Sequence, residues 1–264
     1  MRMMGKADFF LMDLAFFSDG LAMLYREDPN PVYVPLYQGT SYQNVMLEGP
    51  VLIPAAATAA YEKLEEHAVL GDLIAVGAPG VSLEELAEHF RTWLRVVMPD
   101  GTKSAFRFAD PRLYAALSDE LTEEERARLL GPADWLEGKG DDRHWTLAAP
   151  SGAHPDPVAG VYPLRPELLD ALQDWRFQTL MGATAERLGV TRELLAQWYR
   201  ALAGAGAASE HHIIQACEQL ANHGFQSELT PDYAQRATVG EMDARSLSRW
   251  ADDVSRTGAG EVAV

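Results

Sequence analysis

Residues 82–112 read SLEELAEHFRTWLRVVMPDGTKSAFRFADPR, and the apolar periodicity changes twice within them. Ser82 and Glu85 have the spacing of a capping box, in which the hydroxyl and the carboxylate take up orphan N–H groups at a helix start. Leu83, Leu86, Phe90 and Trp93 follow at helical spacing as one stripe. Leu94–Met98 and Lys103–Phe108 read as strands flanking Pro99-Asp100-Gly101-Thr102, where Asp-Gly predicts a hairpin with positive φ at both central positions. Asp110-Pro111 supplies an N-cap and an N1 proline for a further helix, striped by Leu113, Leu117 and Leu121. Helix, hairpin and helix in so short a span predict an α+β lobe.

The pattern extends in both directions. Upstream, the Phe-, Leu- and Met-rich residues 8–17 read as a largely buried strand, and Val32–Tyr37 and Val51–Pro54 as further strands between glycines and prolines. A helix fits 57–69, followed by the short strand Leu73–Val76. Downstream, Thr122 and Glu125 open a helix that Gly131-Pro132 closes. From Gly138 to Gly160 the chain is polar and rich in Gly and Pro apart from the strand-like His144–Leu147, which places the inter-lobe connection near 150–162. From Pro166 onward every segment reads as helix. Leu168, Leu169, Leu172, Trp175 and Leu180 stripe the first helix, Leu194, Leu195, Trp198 and Leu202 the second, and Ile213, Ile214, Cys217 and Leu220 the third. The expectation is an α+β fold: a mixed lobe over 1–150, an all-helical lobe over 163–257 and a loose tail over 258–264.

Composition narrows the function. The 264 residues include 22 Lys and Arg against 39 Asp and Glu, a formal charge of −17. Such a chain repels a phosphate backbone or an anionic bilayer and favours partners with basic surfaces. Cys217 is the only cysteine, which excludes an internal disulfide and a thiolate cluster and suits a reducing cytoplasm. Arg2 and Lys6 precede the apolar Phe9–Met12, but Asp8 and Asp13 interrupt the run and no small-residue cleavage site follows, so it reads as a strand rather than a signal peptide. No apolar stretch has the length of a membrane span.

No phosphate-binding loop, nucleophile elbow, His-Glu-x-x-His or dinucleotide fingerprint is present. The segment Ala183–Leu202 imitates a helix-turn-helix, but its second helix offers Arg192 and Arg200 against Glu193 in an acidic chain, so packed helices around a glycine turn explain it better. His211, His212, Cys217 and His223 are close in sequence, yet His212 and Cys217 do not share a helix face and Cys217 lies on the apolar stripe. Glu84, Glu85, Glu88 and His89, like Glu123–Glu125, fit a solvated helix flank. Arg107, between Phe106 and Phe108 and close to Asp110 and Arg112, predicts a charge-assisted network tying the hairpin to the helix. It contains no nucleophile. No catalytic, cofactor or metal residues are therefore assigned, and none for a partner.

The run Ser82-Leu83-x-x-Leu86-x-x-His89-Phe90-Arg91-x-Trp93, then Pro99-Asp100-Gly101, Phe106-Arg107-Phe108-x-Asp110-Pro111-Arg112 and Gly131-Pro132, resembles the type VI secretion effector-adaptor family, often called TEC or Tap chaperones. Leu11-x-Asp13, Leu36-Tyr37-x-Gly39-Thr40 and Gly49-Pro50-x-Leu52 fit the same pattern in the same order, so the resemblance covers about residues 8–136. It implies a cytoplasmic, non-enzymatic protein that binds a toxic effector and loads it onto the VgrG spike, often through a PAAR-type or N-terminal loading segment. It also implies that Asp13, His89, Arg107, Asp110, Pro111, Arg112, Gly131 and Pro132 define the fold rather than an active site. The competing readings are an immunity-type or other enzyme-inhibiting protein and, less favoured by charge, a DNA-binding regulator.

Overall fold

All five residues of the strand Phe9–Asp13 are buried, because the sheet around it is covered on both faces. The computed structural model describes residues 5–140, 143–149, 161–207, 209–231 and 234–235. In chain order its elements are β1 (Phe9–Asp13), α1 (Gly20–Glu27), β2 (Val34–Pro35), β3 (Pro50–Pro54), α2 (Tyr61–Leu70), β4 (Ile74–Gly77), α3 (Leu83–Arg91), β5 (Arg95–Val97), β6 (Lys103–Ala105), α4 (Pro111–Leu117), α5 (Glu123–Leu130), β7 (Trp135–Gly140), β8 (Arg143–Ala148), β9 (Tyr162–Pro163), α6 (Pro166–Leu188), α7 (Arg192–Gly204) and α8 (Glu210–Asn222). The fold is α+β, and among the described residues from Pro166 onward the regular elements are helices. No described helix is long and apolar enough to cross a membrane.

Two compact units, Met1–Trp175 and Arg176–Val264, divide the chain within the length of α6. In the first, a six-stranded sheet has the order β2-β3-β1-β4-β7-β8, antiparallel throughout. Strand side chains alternate between faces. Phe9, Leu11, Ile74, Val76, Leu136 and Leu147 pack beneath α3, α4 and α5, while Phe10, Met12, Val51, Ile53 and Ala75 pack beneath α1 and α2. A smaller sheet, β6-β5-β9, joins the hairpin to the segment before α6. The expected connection at 150–162 lies largely outside the described residues. Where the description resumes, Tyr162, Leu164 and Leu168 are buried in the first unit's core. The tail at 258–264 lies outside as well.

Several local expectations need correction. Residues 8–17 are strand only to Asp13, and α1 follows unannounced. The strand expected over Val32–Tyr37 is confined to Val34–Pro35, whose second residue is a proline that cannot donate to a ladder. Ser82 caps α3 by accepting from the Glu85 N–H, and the reciprocal bond from Glu85 is not made, whereas Thr122 and Glu125 form the complete box. The hairpin loop holds three residues: Gly101 N–H donates to the Met98 carbonyl, Met98 N–H to that of Thr102, and Gly101 takes φ +85°. Strand β7 escaped notice because of its glycines. They are there for space: a methyl on Gly138 would press into the Trp145 indole, and one on Gly140 into the Arg112 backbone and Ala115. Close approach lets Trp145 Nε1 donate to the Pro111 carbonyl at 2.7 Å, fastening the β7–β8 hairpin to the start of α4.

The second unit is a small helical bundle. Gly189 (φ +66°) and Gly224 (φ +71°) end α6 and follow α8, and Thr191 and Ser209 cap α7 and α8. Met181, Leu195, Trp198, Leu202, Ile213 and Cys217 form its core.

Candidate functional site

Five of the eight residues singled out in the sequence lie in two neighbouring loops and one capped helix start. Asp13 ends β1 with its side chain only 5% exposed. Its Oδ1 accepts the Ala15 N–H at 3.0 Å, and its Oδ2 accepts Arg107 Nη2 at 2.9 Å and Nε at 3.2 Å. Asp110 caps α4. Its Oδ1 accepts the Arg112 N–H at 3.1 Å and Arg112 Nε at 3.0 Å, and its Oδ2 accepts Arg112 Nη2 at 2.7 Å. Pro111 occupies the first helical position, where no N–H is needed. The Arg112 guanidinium also lies 3.9 Å from the centre of the Phe16 ring, a cation–π contact. Tyr37 stands beside this pair of clasps: burial raises its phenol, the Asp13 and Tyr42 charges add to that, and Arg107 opposes it.

The network differs from the expected one in its partners. Arg107 does not bond the Asp110 carboxylate, whose oxygens are taken by Arg112 and the helix start; it reaches to Asp13, 94 positions earlier. What joins Arg107 to Asp110 is a backbone bond, from the Asp110 N–H to the Arg107 carbonyl. Both carboxylates are fully engaged by donors, so the arrangement holds the loop after β1 against the loop before α4.

His89, Gly131 and Pro132 meet elsewhere. His89 Nε2 donates to the Leu129 carbonyl at 2.9 Å, where α5 ends. Burial lowers the imidazole pKa, the Leu129 bond opposes that and Arg128 adds to it. Gly131 has φ +56°, and a methyl there would overlap the His89 ring. Pro132 sits in the turn closed by the Ala133 N–H on the Leu130 carbonyl.

A third cluster was missed in the sequence. Glu125, known there only as a cap residue, also accepts Arg165 Nε at 2.6 Å and Nη2 at 2.9 Å and a hydrogen bond from the Tyr162 hydroxyl. Tyr162 in turn lies between Trp93, 4.8 Å away, and the Arg128 guanidinium. Burial pushes the Glu125 carboxyl upward, but Arg165, Tyr162 and Thr122 outweigh it and hold it down at about 2. Nothing at Arg165 itself signals a partner 40 residues away.

Residues 9–128 match the family model of a domain of unknown function, DUF4123. No curated protein and no solved structure matches the chain significantly. The DUF4123 segment opens on the first residue of β1 and closes within α5. It contains Asp13, His89, Arg107, Asp110, Pro111 and Arg112 and stops short of Gly131 and Pro132.

Outside the DUF4123 segment, the helix-turn-helix imitation is α6, the Gly189 turn and α7. Arg176 and Arg187 pair with Glu210 and Glu218 of α8, each at 2.6 Å, and Arg200 lies over the Phe177 ring. His212 Nδ1 lies 3.0 Å from the Ser209 hydroxyl at the cap of α8, while Cys217 is buried, its thiol pushed up to about 12 by desolvation and by Glu218. Among the described residues no group of three or more His, Cys, Asp or Glu is placed to hold a metal ion.

Proposed function

We propose that this chain is a type VI secretion effector adaptor, which binds a cognate toxic effector in the cytoplasm and loads it onto the VgrG spike without catalysing a reaction. The observation that carries this reading is the match of residues 9–128 to DUF4123, a family associated with such adaptors. The residues by which the sequence resembles the adaptors support it further, since Asp13, Arg107, Asp110 and Arg112 clamp loops together with every carboxylate oxygen engaged. An adaptor needs a rigid body that presents surfaces. The acidic surplus suits cargo with a basic surface or a PAAR-type loading segment of that character.

The test is co-purification of the full-length chain with any toxin and spike proteins encoded beside it. The expected result is capture of both partners, loss of the toxin from the secreted fraction when the chain is deleted, and no protection of cells expressing the toxin internally. Protection would indicate an immunity protein instead, and capture of neither partner would remove the adaptor reading.

A further inference from the structure

The segment after α8 lies on the helical bundle in an unusual manner. Phe225 and Leu229 are each 4% exposed, while Gln226, Ser227 and Glu228 between them face solvent. Phe225 packs against Trp198, with ring centres 5.7 Å apart. Among the described residues, 226–229 are joined to the bundle by three hydrogen bonds, all from side chains of α7. Trp198 Nε1 donates to the Ser227 carbonyl at 2.8 Å. Gln197 reads both backbone groups of Leu229: its Oε1 accepts the N–H at 2.9 Å and its Nε2 donates to the carbonyl at 3.0 Å.

A groove can recognise a peptide through its backbone in this way, here with a bend at Ser227 between the two buried side chains. A side-chain amide that satisfies the N–H and the carbonyl of one residue replaces the partner strand of a ladder, whatever that residue is, and two apolar pockets supply the selectivity. A second segment with the same backbone and two apolar side chains would recover every one of these contacts. Exchange therefore costs little beyond the advantage of the tethered segment, whose effective concentration is of millimolar order.

We propose that the Gln197–Trp198 groove is a peptide-recognition site occupied by the chain's own residues 225–229, and that a cargo segment with the same backbone course and two apolar side chains at that spacing takes their place. That the ligand is cargo rests on the adaptor reading; the groove itself does not.

The experiment uses the full-length chain and a labelled peptide copying residues 223–231, HGFQSELTP. Wild type should bind it only near millimolar concentration, in competition with its own arm. Leu229→Ser, which unseats the arm, should bind at least tenfold more tightly, and adding Gln197→Ala should remove that gain. A peptide with serine in place of both apolar residues should not bind. A Leu229→Ser chain with wild-type circular dichroism that binds no peptide overturns the proposal. Should that variant fail to fold, hydrogen exchange on wild type decides: millimolar peptide should speed exchange across 225–231, and no change overturns it. Finally, the peptide should displace captured effector while leaving the spike bound. Peptide exchange without loss of effector refutes the cargo assignment and leaves the adaptor reading intact; no effector capture with or without peptide removes that reading and the cargo with it.

Discussion

Arg107→Ala is the sharpest perturbation of the DUF4123 segment, because it leaves a shielded carboxylate without its cation. Asp13 is 5% exposed and loses the bonds at 2.9 and 3.2 Å, keeping only the Ala15 N–H. Hydrogen bonds to a charged group contribute about 1.5–3 kcal/mol. Arg107 is itself half exposed, so water screens its side of the pair and the lower part of that range applies, about 2 kcal/mol. For a domain of this size each kcal/mol moves the melting temperature by about 2–4 °C, which gives a drop of about 4–8 °C. Asp13→Asn retains an acceptor for Ala15 and leaves no orphan charge, so Arg107→Ala in that background should cost less than about 1 kcal/mol, a coupling of the size expected of contacting residues. Urea unfolding of the four chains measures the cycle and differential scanning fluorimetry the melting temperatures. Wild-type melting of Arg107→Ala, or strict additivity in the cycle, would refute the argument that this ion pair closes the loop.

Glu125→Gln should destabilise the protein above pH about 4.5. The difference from wild type should vanish as the pH falls towards about 2, because a carboxylate with a depressed pKa stabilises only while ionised; acid titration of the urea midpoint reads this. His89 has the opposite chemistry and the same sign. Its folded pKa is lowered, so the unfolded chain binds the proton first and stability declines as pH drops below about 6.5; His89→Gln should flatten that slope in urea melts at stepped pH. Gly131→Ala combines positive φ with collision against His89, whereas Gly101→Ala meets only the φ penalty of about 1 kcal/mol, since nothing lies within 4 Å; the first should lower the melting temperature clearly more than the second. Anisotropy with random duplex DNA at low salt should show no binding, and micromolar binding that weakens steeply with salt would restore the regulator reading.

The local chemistry of this chain was legible, and its long-range pairing was not. Thr122 and Glu125, Asp110 and Pro111, and the helical stripes specify their elements because each signal is complete within a turn or two of chain. Strand β7 was illegible because Gly138 and Gly140 resemble loop glycines until the indole of Trp145 and the backbone of Arg112 are seen to fill the space above them. The clamp residues Asp13, Arg107, Asp110 and Arg112 were identifiable by type, yet the assignment of Arg107 to Asp110 rather than to Asp13 followed sequence proximity, which does not govern side-chain pairing across 94 positions. The Glu125–Arg165 clasp and the Gln197 fork were invisible for the same reason.

The order in which the six strands are laid down has a consequence for synthesis of the protein. Strand β4 pairs on one side with β1, available from the start, and on the other with β7, which begins only at Trp135. At about 5–20 residues per second, the ribosome leaves the outer side of Ala75-Val76-Gly77 open for roughly 3–12 seconds, along with the sheet face that α3, α4 and α5 later cover. During that interval the nascent chain presents an apolar edge ready to pair with any neighbouring strand. Soluble yield should therefore respond to expression temperature and translation rate in variants whose finished fold melts like wild type. Slowing elongation just before Trp135 would lengthen the exposure, and slowing it just after Ala148 would allow the sheet to close.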